Sequence, residues 1–370
     1  MMISGHSFFR RDAVPVSGVA RLTTLLFAKL MLTTSLIIAG QVIVGSCSLA
    51  QADEPSALPP TSIDQIVIRK GLSKRERTQA GVIEEISGQN VVLRRPGNTV
   101  EIIKLRDITT LRFQKSAEFD DGLIKLRSRE WPAALVSLQA AAKNEPRMWV
   151  VREIRAAIAQ TQRALGQFEE CMATVESILE QDPESRHAVE LPLTWDERLP
   201  QAHRIVMNAA DLQSRSLARR LTAASALLQD SAHQESALLT LQAVQQSARG
   251  VLQQLAETQQ WRIRLLQPDE LKNAEISRWT EQAHYYDRRT RSGPEFLIGR
   301  ALMAVHDYDN AATSLLWMPL LEPLDPPTTA ASLADAITAL EMSGRTMEAA
   351  RLRAEISESP PQPTPAAAGK

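Results

Sequence analysis

Hydrophobic positions obey three different rules along this chain. From Leu30 to Gln51 no charged residue occurs, and "LMLTTSLIIAGQVIVG" is largely apolar. From Asp64 to Ser116 short runs of Val, Ile and Thr alternate with polar residues, as in Val91/Leu93 and Val100/Ile102, the period of half-buried strands. "SGQ" around Gly88 and "RPGN" from Arg95 to Asn98 supply turn material between them. From Ala117 to Ile356 the spacing becomes that of amphipathic helices. Leu217, Leu221, Ala224 and Leu228 form one stripe; Ala237, Leu241, Val244 and Ala248 form another; Ile276, Trp279, Ala283 and Tyr286 form a third. The pattern predicts a mainly α chain: a small five-stranded β-barrel over 64–116, then stacked helix pairs over 117–356. Five strands in so short a segment are expected to curl and close, which removes exposed edges.

The first 52 residues read as targeting material rather than fold. Arg10, Arg11, Arg21 and Lys29 precede the apolar run, with Asp12 the lone acid. In "IVGSCSLAQADEPS" small residues stand at Ala50 and Ala52, followed by Asp53, Glu54 and a proline. That is the arrangement a signal peptidase accepts, and it sets the cut between Ala52 and Asp53. Two alternatives stay open. "VGSC" resembles a bacterial lipobox, which would place a lipid on Cys47. The run is also long enough to remain as a membrane anchor. Each puts the body outside the cytoplasm, at the periplasm or the outer face of the envelope, because the positive residues stay inside. Residues 53–63, "DEPSALPPTS" and one more, read as a flexible linker, and 357–370 as a disordered Pro/Ala-rich tail.

Two resemblances add to this. The order of the short strands resembles an SH3-like or Sm-like barrel, without a clear Sm-type Asp/Asn nucleotide pocket. "GLIKLRSREWPAALVSLQAAAKNEP" places Gly122, Ala134, Leu138, Ala141 and Pro146 in one frame. "AQTQRALGQFEECMATVESILEQDP" places Ala159, Cys171, Val175, Ile178 and Pro183 in the same frame, 37 positions on. A second pair sets Gly299, Tyr308, Ala311, Leu315 and Met318 beside Gly344 and Ala349. These segments resemble tetratricopeptide repeats of an exported bacterial type, with Gly166 and Gly344 at turns between paired helices. The tryptophan and tyrosine of the family's first helix are missing, and the period of 37 or 38 exceeds the usual one. The resemblance implies an α-helical solenoid whose first-helix face takes a peptide or protein. The middle, from Leu193 to Gly293, keeps the helical period and is expected to continue the solenoid.

Composition narrows the chemistry. Net charge is −1 and aromatics make only 4% of the 370 residues. Charge is divided, however: 64–116 carries eleven basic residues against six acidic, and the helical part is acidic. The densest basic stretch, with Arg69, Lys70, Lys74, Arg75 and Arg77, is either a patch for a polyanion (an anionic membrane or cell-wall polymer, or an acidic partner) or a solvated loop. Nucleic acid is disfavoured, since no aromatics interleave the charges. There is no phosphate loop, His-Glu-x-x-His, Cys-x-x-Cys or nucleophile elbow, and no histidine pair lies at metal-binding helical spacing. No catalytic residue, metal or cofactor is assigned. Cys171 occupies a small-residue place in a helix and is expected to be packed. Trp195, in the Pro-bounded "LPLTWDERLP", is the candidate anchor for a partner in a groove. The expected role is an exported non-catalytic scaffold for an unidentified protein or peptide. An envelope hydrolase with a site in the helical middle and a self-assembling envelope protein are the alternatives.

Overall fold

The structure, a computed structural model, describes residues 63–69 and 76–358. The processing candidates Cys47, Ala52 and Asp53, the loop residues Lys70, Lys74 and Arg75, and residues 359–370 of the C-terminal tail lie outside the described residues, whereas Ser357 and Glu358, expected in the tail, close the last helix. Among the described residues no helix is long and apolar enough to cross a membrane.

Five strands come first: β1 (Asp64–Arg69), β2 (Glu76–Ser87), β3 (Asn90–Arg94), β4 (Val100–Lys104) and β5 (Ile108–Arg112). They pair in the order β4-β3-β2-β1-β5, each neighbour antiparallel. The expected barrel does not close, because β4 and β5 remain separate edges. What closes the core instead is helix. Ile66, Ile83, Ile86, Val91, Leu93 and Ile103 from the sheet share one buried cluster with Phe119, Leu138, Trp149 and Ile154. With its apolar face covered by helices, the sheet gains nothing by curling on itself.

β2 is long because it serves two partners. Residues 76–81 pair with β1 and residues 82–87 with β3. The change of partner falls at Gly81, where a Cβ would lie 2.5 Å from the carbonyl oxygen of Arg94. Gly81→Ala is therefore expected to cost about 1–3 kcal/mol by forcing that strand away. Chemical denaturation checks this, and an unchanged midpoint would contradict it.

The helices follow as hairpins. They are α1 (Ala117–Arg127) with α2 (Trp131–Asn144), α3 (Met148–Ala164) with α4 (Phe168–Gln181), and α5 (Leu217–Leu227) with α6 (Gln234–Ser247). Then come α7 (Gly250–Leu265), α8 (Asn273–His284), α9 (Ser292–Ala304) with α10 (Tyr308–Leu315), a short α11 (Trp317–Leu320), and α12 (Pro326–Met342) with α13 (Thr346–Glu358). Four hairpins turn in the same way. Arg129, Gly166, His306 and Gly344 each adopt positive φ, between 62° and 82°. In each case the next amide donates to the carbonyl five residues back, as Gln167 does to Gln162 and Asp307 to Leu302, both at 2.9 Å. This left-handed cap satisfies carbonyls that the helix end leaves free.

The packing repeats as well. A Cβ on Gly122 would come within 2.7 Å of Leu138, and one on Gly299 within 2.5 Å of Leu315, sixteen positions on in both hairpins. Ala159 and Val175 occupy the same places, fully buried. In α5/α6 the frame continues at Ser225, Ala237, Leu241 and Val244, all buried, although Ser225 hides it from a search for small apolar residues.

The helical middle departs from expectation. Between Gln181 and Leu217 there is no α-helix, only short 3-10 segments at Arg186–Glu190, Gln201–His203 and Ala209–Gln213. Pro192 and Pro200 lack the amide a helix needs there, and the segment is held by side chains instead.

Candidate functional site

The sheet is fixed to the helices by polar bonds as well as by its core. Trp149 Nε1 donates to the Ile83 carbonyl at 3.1 Å. Arg152 donates to the Ile86 carbonyl at 2.7 Å and pairs with Glu85. At the β2–β3 turn the Gly88 amide donates to Asp182 Oδ2 at 2.8 Å. These bonds set the turn beside the residues that follow α4.

From there the chain enters the helical body as a strap. Residues 187–196 are all buried, which is unusual for a segment with no α-helix or strand. Its polar groups find partners on successive helices. Arg163 on α3 donates to the Val189 carbonyl, and Cys171 Sγ on α4 donates to that of Glu190. The Glu190 carboxylate pairs with Arg163 at 3.0 Å and Arg289 at 2.7 Å. The Thr194 amide donates to Ser225 Oγ on α5. Asp196 pairs with Arg198 at 2.7 Å and Arg300 at 3.5 Å. Glu197 holds the fully buried Arg262 of α7 at 2.6 Å, and Arg198 reaches Asp335 on α12, also at 2.6 Å. The strap thus runs across α3, α5, α9 and α12, the first helices of their hairpins, and across α7.

Trp195 belongs to this strap and is not a free anchor. It is 5% exposed, and its indole lies where a Cβ on Gly293 of α9 would be, 2.2 Å from it. The expectation of an exposed anchor fails because the two prolines mark a segment that is extended yet inside. Cys171 is packed as expected: burial pushes its thiol up to about 12. At mildly alkaline pH, Cys171 should resist iodoacetamide in the folded chain and react once it is unfolded. Peptide mapping reads this, and rapid native labelling would contradict it.

Ion pairing also sets an acid limit. Burial raises Asp196, but the hydrogen bonds and charges of Arg198 and Arg300 outweigh it and hold the carboxyl below its ordinary value. Glu153, beside His187 at 3.1 Å and Arg186 at 2.8 Å, is likewise pushed up by burial and down further by those two partners. Carboxyls with depressed folded values stabilise fully above the ordinary range near about pH 4. That contribution is lost as pH falls below it. The melting temperature should decline from pH 7 to pH 3; a flat profile would contradict the pairing.

Beside the strap lies an open groove of about 650 Å³. Spaces elsewhere, next to Trp195 and next to His187, hold only about 10 Å³ each, about room for one water. The groove floor is apolar: Leu179 from α4, Leu217 and Ala218 from α5, Ala248 after α6, and Leu252 from α7. Glu176 of α4 and Arg219 of α5 pair at 3.0 Å, so the groove is bounded by α4, α5 and the start of α7. Glu184, at its end, touches the sheet's turn at Gly88. Rim charges are loosely committed. Glu180 and Arg215 make no ion pair among the described residues, and Arg249 stands 3.9 Å from Glu184. No motif announced this groove, since its residues come from three separate stretches of chain.

The basic patch is only partly described. Arg69 is paired with Glu76 at 2.6 Å, and Arg77 is exposed. Elsewhere on the sheet Arg94 pairs with Glu84, and Arg95 with Glu101. Compared with protein-family models, curated proteins and solved structures, the chain matches none.

Proposed function

We propose that this chain is an exported, non-catalytic scaffold of tetratricopeptide-like helix hairpins that holds a protein or peptide partner in the groove floored by Leu179, Leu217 and Leu252. One observation carries the reading: an open groove with an apolar floor, rimmed by Glu180 and Arg215, which make no ion pair among the described residues, and by Glu184 and Arg249, which are only loosely paired. The shared hairpin turn and buried frame support the repeat reading. The partner's place differs from the one the resemblance implies. The first-helix face is filled by the strap, so the open surface is the groove beside it. The basic sheet remains the proposed contact with an envelope polyanion, through exposed Arg77, Lys104 and Arg112. The hydrolase alternative requires a carboxylate free to act as base, whereas Glu190, Asp196 and Glu197 are each clamped by arginine.

The test is local crosslinking. A photoreactive residue at Glu180 in the full chain should give adducts in envelope extract that Ser247→Trp, which fills the groove from its exposed rim, removes. The same residue at exposed Val136 on α2 should not give them. Equal adducts at both positions, or adducts indifferent to Ser247→Trp, would contradict the assignment.

A further inference from the structure

The groove's shape and charge say what kind of segment fits it; this rests on the groove being the docking site. Its walls are helices and turns, and it presents no unpaired strand edge. An extended peptide would find few main-chain partners there. A helix satisfies its own backbone and offers one apolar stripe to an apolar floor. Charge narrows the occupant further. The acids Glu180 and Glu184 come from α4 and the turn after it; Arg215 and Arg249 come from the residues that lead into α5 and α7. The N-terminal ends of those two helices add positive potential on the same wall. A polyanion would be repelled by the acidic wall, and a polybasic segment by the other.

We propose that the occupant is an amphipathic helix of a partner protein with both charges beside its apolar stripe. Its acidic side chains face Arg215 and Arg249, and its basic side chains face Glu180 and Glu184. Apolar residues at i, i+3 or i+4, and i+7 fill the floor over Leu179, Ala248 and Leu252. This is a neutral, two-sided recognition rather than attraction to net charge. It gives the groove a register, because a helix turned end for end brings like charges together.

The probe is a displayed library of peptides about sixteen residues long, ~24 Å as helices, selected on the full chain. Enriched sequences should carry the apolar stripe with acidic and basic residues flanking it. Ser247→Trp should weaken their binding by about tenfold or more. Glu180→Lys and Arg215→Glu, both at exposed positions, should each weaken it by about threefold. A peptide with its own charges exchanged should recover on the double variant. Peptides that Ser247→Trp blocks but that ignore both rim reversals overturn the helix proposal and leave the groove reading standing. Peptides that Ser247→Trp does not affect, or a selection that enriches nothing, overturn the groove reading itself. Leu217→Lys serves as a second block if Ser247→Trp lowers the melting temperature.

Discussion

Glu190→Ala is expected to destabilise the folded chain by about 3–5 kcal/mol, the range for breaking a buried ion pair from one side. The carboxylate is 2% exposed and lies between Arg163 and Arg289. Removing it leaves the Arg163 guanidinium, itself buried, without a counter-charge. The strap would lose its main electrostatic attachment to α3 while keeping its apolar contacts. A double-mutant cycle with Arg163→Met separates the pair from its surroundings. The double variant should recover part of the loss, since the orphaned charge goes with it. A single-variant cost below about 1 kcal/mol would mean that the pair is solvated and the strap is not held as described.

Trp195→Ala should cost a similar amount, about 3–5 kcal/mol, by opening a cavity against α9. The indole packs against Gly293 so closely that a Cβ there would lie 2.2 Å from it. Its consequence for partner binding separates two accounts. Were Trp195 an anchor on an open surface, the substitution would abolish binding and leave stability nearly unchanged. As part of the strap, it should lower the unfolding midpoint while peptides selected on the wild type still bind the folded fraction. Guanidinium denaturation and fluorescence polarisation, run on one preparation, report both quantities.

The same residue shows where reading the sequence succeeds and where it stops. Local rules carried the strands and most helices, because alternation and 3.6-residue spacing are properties of neighbours in the chain. Gly166 and Gly344 were legible as turns, since glycine adopts positive φ without a Cβ clash. Arg129 and His306 make the same turn with side chains that do not announce it. The sheet stays open for a tertiary reason: Phe119, Trp149 and Ile154, from outside the strand segment, cover its apolar face.

The strap was harder still. "HAVELPLTWDE" holds three acids in eleven residues, and buried carboxylates are rare enough that an exposed loop is the natural reading. Its burial depends on Arg163, Arg262, Arg289 and Arg300, spread over more than 130 positions. The groove was invisible for the same reason. It is a gap bounded by residues from 176–184, 214–218 and 247–252, and no single stretch of sequence encodes it.

The central claim is that a partner docks beside the strap and not in its place. Hydrogen exchange of the full chain, with and without a selected peptide, tests it most directly. The account predicts slowed exchange at 176–184, 214–218 and 247–252, with residues 187–196 protected to the same degree in both states. Faster exchange across 187–196 on binding, with no change at the groove, would show the peptide displacing the strap and would contradict the account.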